Sequence, residues 1–395
     1  MGRLTAGLGG SQAVPASSGA ALTQARRRLG VAPLKALFEL LRGPAATLGG
    51  GVRWRGLLVC AVDGTVMSVA DSPANRVAYP KQRGPAFPTL RLVAVVACGT
   101  RSGLDAVFGP GCGTGNGESA YAARLLGVLR EQMVVLADRG FGAGWLVKQI
   151  ADTGADLLVR VKNGRSAPRL PAQHRLRDGS FISRHGGIKV RVIDAAITVS
   201  TSAGDTTGSY RLITTLLDPV RYPAADLVRL YHQRWEIETA YLELKSSILG
   251  GRVLWARTPA GTDQEVYALL VVYQALRTAM ADATNSDPRI DPDRAGFSTA
   301  LATARDQVIQ AAGVIADTRI DLIGRIGRAV LDNLLPDRRV RINARTVKRA
   351  ISKATPAARS STEPPTRPPS PSTSSPRPAR QQPKTFNFPA LPLDR

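Results

Sequence analysis

MVVLADRGFGAGWLVKQIADTGADLLVRVK, residues 133–162, sets the fold class. Met133 to Ala137 is a short, wholly apolar run that stops at Asp138, and Asp156 to Lys162 is a second such run. Between them, Ala143 to Thr153 carries apolar residues at helical spacing. A buried strand, a helix and another buried strand make one turn of a mixed α/β sheet. Working outward, Leu57 to Val62 and Leu90 to Ala97 read as two more buried strands, and Ser119 to Leu129 as a helix. Lys189 to Ser200 and Tyr210 to Leu217 alternate like a β-hairpin across the turn SAGDTTGS. Pro223 then opens a long helix to about Leu249, and Asp263 to Met280 is another.

The 395 residues hold 53 Lys and Arg against 30 Asp and Glu, a formal charge of +23, while 44% are hydrophobic. A chain of this size can bury real cores, and so large an excess on a folded protein points to a polyanion, nucleic acid before membrane. The three cysteines, Cys60, Cys98 and Cys112, fit neither zinc nor disulfide spacing and suggest a reducing compartment. No apolar run is long enough to span a membrane and the start lacks a signal peptide's apolar core, so a cytoplasmic protein is expected. Beyond residue 355 the chain turns to Pro, Ser and Arg, a composition that cannot order itself. That tail holds only six basic and two acidic residues, so the positive excess belongs to what precedes it. Just before it, DRRVRINARTVKRAISK is either a phosphate-contacting patch or a solvated helix face. Near the N-terminus, ALTQARRRLGVAPLKALFELL holds two short helical patterns, either a helix-turn-helix-like DNA-binding piece or a hairpin packed on the next domain.

Two acids stand at the ends of buried runs, Asp63 after LLVCAV and Asp138 after MVVLA. A carboxylate there projects into the crevice where α/β sheets place ligands, although either alone could be a turn former or cap. The long helix supplies a third. With Tyr231 at 0° and about 100° per residue, Arg234, Glu238 and Lys245 fall within about 60° of it. Leu230, Ile237, Tyr241, Leu244 and Ile248 form the adjoining core stripe, and Glu236 and Glu243 face away. A plain i, i+4 ladder between Arg234 and Glu238 is the modest alternative. Three converging carboxylates in a basic protein suit hard divalent cations, which could activate a water or a 3′-hydroxyl against a phosphodiester.

The segment YHQRWEIETAYLELK, residues 231–245, fits Tyr-x2-Arg-x3-Glu-x6-Lys, and AVDGTVMSVADSPANR and VLADRGF carry Asp63 and Asp138. Together they resemble the DDE transposases of the insertion sequence four family, over roughly residues 20 to 350. The resemblance implies an RNase H-like fold with a β-strand insertion between the second Asp and the Glu. It implies Asp63, Asp138 and Glu238 as a catalytic, metal-binding triad for Mg²⁺ or Mn²⁺, with two ions. Tyr231, Arg234 and Lys245 would contact DNA phosphates, Arg139 is a further phosphate or carboxylate contact, and Trp235 either stacks on a base or packs on the sheet. The implied reaction is cleavage at terminal inverted repeats and joining of the 3′-hydroxyl to target DNA. The implied partner is double-stranded DNA, bound by a homodimer associated with the nucleoid.

On this reading residues 1–50 are a partial N-terminal helical DNA-binding region and 51–285 the catalytic domain, with the β insertion at about 163–220. Residues 286–354 are then a basic helical region and 355–395 a disordered tail. The Pro/Ser/Arg ending departs from the basic, strand-forming one the resemblance implies, and the expectation is a frameshifted or decayed terminus. A catalytically silent, transposase-derived DNA-binding protein is the alternative. A phosphatase of the haloacid dehalogenase type is disfavoured, because the position two before Asp63 is Ala61 and no nucleophile stands there.

Overall fold

The computed structural model describes residues 18–43, 53–81, 86–162, 167–201, 204–310, 322–336 and 385–386. Its strands in chain order are β1 (Arg53–Trp54), β2 (Leu57–Ser68), β3 (Thr89–Ala97), β4 (Gly103–Pro110), β5 (Met133–Ala137), β6 (Asp156–Val161), β7 (His174–Arg175), β8 (Phe181–His185), β9 (Ile188–Thr201), β10 (Gly204–Thr214) and β11 (Thr385–Phe386). The helices are α1 (Gly19–Leu29), α2 (Ala32–Leu41), α3 (Pro73–Ala78), α4 (Glu118–Ala123), α5 (Gly144–Asp152), α6 (Ala224–Tyr231), α7 (Trp235–Leu242), α8 (Pro259–Asn285), α9 (Phe297–Gln310) and α10 (Leu322–Asp332).

One continuous mixed sheet runs β4-β3-β2-β5-β6-β10-β9-β8-β7. The first three strands are an antiparallel meander, and β5 and β6 join parallel to β2, as in an RNase H-like core. Alternate residues of each central strand serve opposite layers. Leu57, Val59 and Ala61 of β2 pack with α6, α7 and α8, whereas Leu58, Cys60 and Val62 pack with α4 and α5. Burial on both faces explains why these strands are unbroken apolar runs in the sequence.

The structure corrects several expected boundaries. β2 does not end before Asp63 but continues to Ser68, because β3 keeps pairing with it as far as Ser68↔Thr89. β4 was not anticipated: it is an edge strand, mostly half-buried, with few consecutive apolar residues. Gly204 to Ser209, expected as a turn, lie in β10 and pair with β9 from Gly204↔Thr201 onward. The insertion also gains β7 and β8. The helix expected over Ser119 to Leu129 is broken into α4 and a 3-10 turn at Leu126–Val128.

At the N-terminus α1 and α2 pack on α8. Phe38 packs at a tilt against Tyr267 with ring centroids 6.1 Å apart, and Arg26 Nε donates to Gln264 Oε1 across 3.2 Å. This is the packing that the hairpin reading expects. The basic segment DRRVRINARTVKRAISK lies outside the described residues, as does the tail apart from β11, which pairs parallel with β9. Among the described residues no helix is long and apolar enough to cross a membrane.

Candidate active site

Asp63 and Asp138 are brought side by side by register. The parallel ladder between β2 and β5 ends at Val62↔Ala137, so the two aspartates occupy the next position on adjacent strands. There the strands part. β2 runs on beside β3, while β5 breaks into a 3-10 turn at Arg139–Phe141 that Asp138 caps by accepting from the Arg139 N–H across 2.6 Å. Asp63 Oδ1 accepts from the Gly64 N–H across 2.8 Å. The carboxylates therefore stand at the C-terminal end of the parallel strands, where a divided ladder opens a crevice.

The helix that carries the third acid is not one regular helix. Its path runs through α6, a 3-10 turn at His232–Arg234, α7, and a π-helical turn at Glu243–Ile248. Three side chains fasten it over the two aspartate strands. Tyr231 Oη donates to the Ala137 carbonyl across 3.2 Å, and Tyr241 Oη to the Asp63 carbonyl across 2.6 Å. Lys245 Nζ donates to Thr65 Oγ1 and, across 2.9 Å, to the Val66 carbonyl. The helical stripe expected from the sequence thus faces the crevice. Two of its members nevertheless bind protein: Tyr231 is buried with its hydroxyl engaged, and Lys245 is committed to β2.

Arg234 stands between two acids, with Nη2 3.0 Å from Glu238 Oε1 and Nη1 3.4 Å from Asp63 Oδ2. Burial pushes the Asp63 carboxyl up to about 6, with Glu238 and Glu118 adding to the rise and the Gly64 N–H and Arg234 opposing it. Among the described residues no three His, Cys, Asp or Glu side chains are drawn close enough to cage an ion unaided. The donor set still suits one: the groups are carboxylate oxygens, which hard divalent cations prefer. Asp63 and Glu238 already share one cation, Arg234. Arg139 is exposed at the rim. Trp235 is also exposed, at 45%, which corrects the expectation that it packs on the sheet.

Glu118 was not singled out in the sequence. It opens α4, and its Oε1 accepts from Arg91 Nη1 across 2.6 Å. Glycines at 64 and 140, each following one aspartate by one or two residues, leave room for it. Glu236 and Glu243 face away from the crevice, as the helical wheel expects, and both are buried. Glu236 is 4% exposed and pairs with Arg101 across 2.6 Å; Glu243 pairs with Arg277 of α8. Arg101 itself is 5% exposed and also reaches Asp293 across 2.8 Å. A cavity of about 470 Å³ lies elsewhere, lined by Lys35, Tyr79, Phe108, Asp263 and Tyr267, and no member of the carboxylate group lines it.

Residues 54–275 match the family model described as Transposase DDE domain, and residues 1–39 the one described as Insertion element 4 transposase N-terminal. The chain belongs to the insertion element 4 family of DDE transposases. This transposase is 24% identical over 345 residues to "Transposase InsG for insertion sequence element IS4" of Escherichia coli (strain K12), covering 83% of the chain and 76% of that relative. It is 33% identical over 129 residues to "Putative transposase InsZ" of the same organism, covering 31% of the chain and 42% of that relative. Among solved structures it is similar to a piggyBac transposase synaptic complex with hairpin DNA, at 14% identity and a TM-score of 0.40, over 71% of this chain and 57% of that one. The transposase is a metal-dependent nuclease and strand transferase, and its function is DNA transposition by cleavage and strand transfer.

Proposed function

We propose that Asp63, Asp138 and Glu238 are the catalytic carboxylates of this transposase, acting on double-stranded DNA at the element's terminal inverted repeats and then on target DNA. The observation that carries the reading is the end of the β2/β5 ladder, which sets Asp63 beside Asp138 under the helix bearing Glu238. These three would hold Mg²⁺ or Mn²⁺, as two ions, which would supply Lewis-acid stabilisation of the attacking and leaving oxygens.

The protein's own groups do the rest. Arg234 holds Asp63 and Glu238 in one orientation and lowers their mutual repulsion. Tyr231 and Tyr241 fix the helix to the main chain beside each aspartate, so the three acids keep their spacing as a phosphodiester enters. Arg139 and Trp235, exposed beside the crevice, are placed to meet backbone phosphate and base respectively. The domain division drawn from the sequence accompanies this reading, with a homodimer pairing two DNA ends in the cytoplasm at the nucleoid.

The test is divalent-cation-dependent nicking of DNA bearing the element's own ends. Asp63→Ala, Asp138→Ala and Glu238→Ala are each expected to abolish nicking while sparing DNA binding. Cleavage that survives any one of them overturns that residue's assignment.

A further inference from the structure

Glu118 lies between the stretch of β2 that follows Asp63 and the 3-10 turn that follows Asp138. A Cβ at position 64 would come 2.7 Å from Glu118 Cγ and 3.0 Å from Oε1, and one at position 140 would come 3.4 Å from Oε2. At position 64 the side chain occupies space that a Cβ would take, while at position 140 a Cβ would only touch the carboxylate. Its backbone is fixed to the Asp138 side as well, because Ser119 Oγ donates to the Gly140 carbonyl across 2.8 Å.

Arg91 of β3 orients the group. Its Nη1 donates to Glu118 Oε1 while its Nη2 donates to the Gly111 carbonyl across 3.0 Å, so the guanidinium is held from both ends. With Oε1 engaged, Oε2 is the oxygen on the Gly140 side. An acid in the first turn of a helix is ordinarily a partner for the helix dipole. That role accounts for the acidic residue and not for the glycine at position 64 that makes room for it, nor for the half-buried arginine that orients it. Arg91 and Arg234 therefore bracket the acids, one beside Glu118 and one between Asp63 and Glu238.

We propose that Glu118 is a fourth oxygen donor of the divalent-cation site, inserted between the strand position after Asp63 and the turn after Asp138 and oriented by Arg91. The proposal rests on the assignment of Asp63, Asp138 and Glu238 as the groups that hold the cation. Hard divalent cations take six or more oxygens, so a fourth carboxylate adds a donor or binds a coordinated water.

The experiment is Mn²⁺ binding to the full chain without DNA, read by electron paramagnetic resonance of free Mn²⁺ and by the Mn²⁺-induced rise in Tm. Glu118→Gln keeps the size and the hydrogen bond to Arg91 and removes the charge. Its affinity for Mn²⁺ should fall by about tenfold or more, with the metal-free Tm unchanged. Glu118→Asp, which keeps the charge but draws it back, should fall in the same direction by less. Glu238→Gln and Asp63→Asn serve as controls. If they weaken Mn²⁺ binding and both Glu118 variants bind as the wild type does, Glu118 is only a helix-end acid and the proposal fails. If the controls also bind as the wild type does, the underlying site assignment fails with it.

Discussion

Tyr241 donates its hydroxyl to the main-chain carbonyl of Asp63 across 2.6 Å, and the same hydroxyl accepts from the Ala94 N–H across 3.0 Å. The Glu238 helix is thereby pinned to β2 and β3 at the rung that carries Asp63. Tyr241→Phe leaves that carbonyl and amide without this partner in a buried place, at a cost of about 1 to 3 kcal/mol. Urea unfolding should show the loss, and Mn²⁺ affinity should fall with it. Unchanged affinity would mean that the hydroxyl supports the fold without setting the position of Glu238.

Asp63 gives the metal-free protein a pH signature. Burial holds its folded pKa at about 6, above the ordinary 3.8, so between these values the folded state binds the proton more tightly than the unfolded chain. Stability must then fall as pH rises from about 4 to about 6, by about 3 kcal/mol for this group alone. Asp63→Asn should flatten that limb, and saturating Mn²⁺ should restore stability above pH 6. A metal-free protein whose stability rises across this window, with no difference in Asp63→Asn, would contradict the assignment of burial as the dominant influence.

Arg101 neutralises Glu236 and Asp293 in a nearly water-free setting and lies close to Glu243 as well, at 3.7 Å. It does so at a left-handed backbone position, φ 54°, in the turn between β3 and β4. Arg101→Met strands buried carboxylates, for which losses of about 3 to 5 kcal/mol are usual. Thermal unfolding should drop accordingly, and Arg101→Lys should recover only part of it, since one ammonium cannot fork among three acids.

Lys245 and Trp235 separate structural from DNA-facing roles. Lys245 Nζ is hydrogen-bonded to β2, so Lys245→Ala should cost about 1 kcal/mol in urea unfolding. A shallower dependence of DNA affinity on salt would show that it meets phosphate too. Trp235 is exposed, and Trp235→Ala should alter stability by no more than about 0.5 kcal/mol. If it stacks on a base, DNA affinity should nevertheless fall by about 1 to 3 kcal/mol. Equal affinity would leave the indole without a DNA role.

The parts legible in the sequence are those fixed by local pattern. The unit from β5 through α5 to β6 was readable because each strand is apolar on both faces and the helix between them is amphipathic. The stripe of Tyr231, Arg234, Glu238 and Lys245 was readable although the helix changes pitch twice. The 3-10 turn is only three residues long and the π turn begins after Glu238, so a regular wheel still lands near the truth. What escaped depends on partners distant in the chain. Glu236 and Glu243 could be recognised as buried only by knowing that Arg101 and Arg277 meet them. Glu118 looked like any acid opening a helix until Gly64, Gly140 and Arg91 closed around it. β4 escaped because an edge strand needs few apolar residues.

The inserted hairpin pairs with β6 through four register positions, and β6 pairs in turn with β5, whose next residue is Asp138. Among the described residues the insertion and the strand that leads to the acid are joined by continuous hydrogen-bonded ladders. A load applied along the hairpin must travel in the plane of the sheet, through hydrogen-bonded rungs that resist shear together. The hairpin is therefore rooted beside Asp138 through the β6/β10 ladder, and a swing of the hairpin away from the sheet would have to break those four rungs.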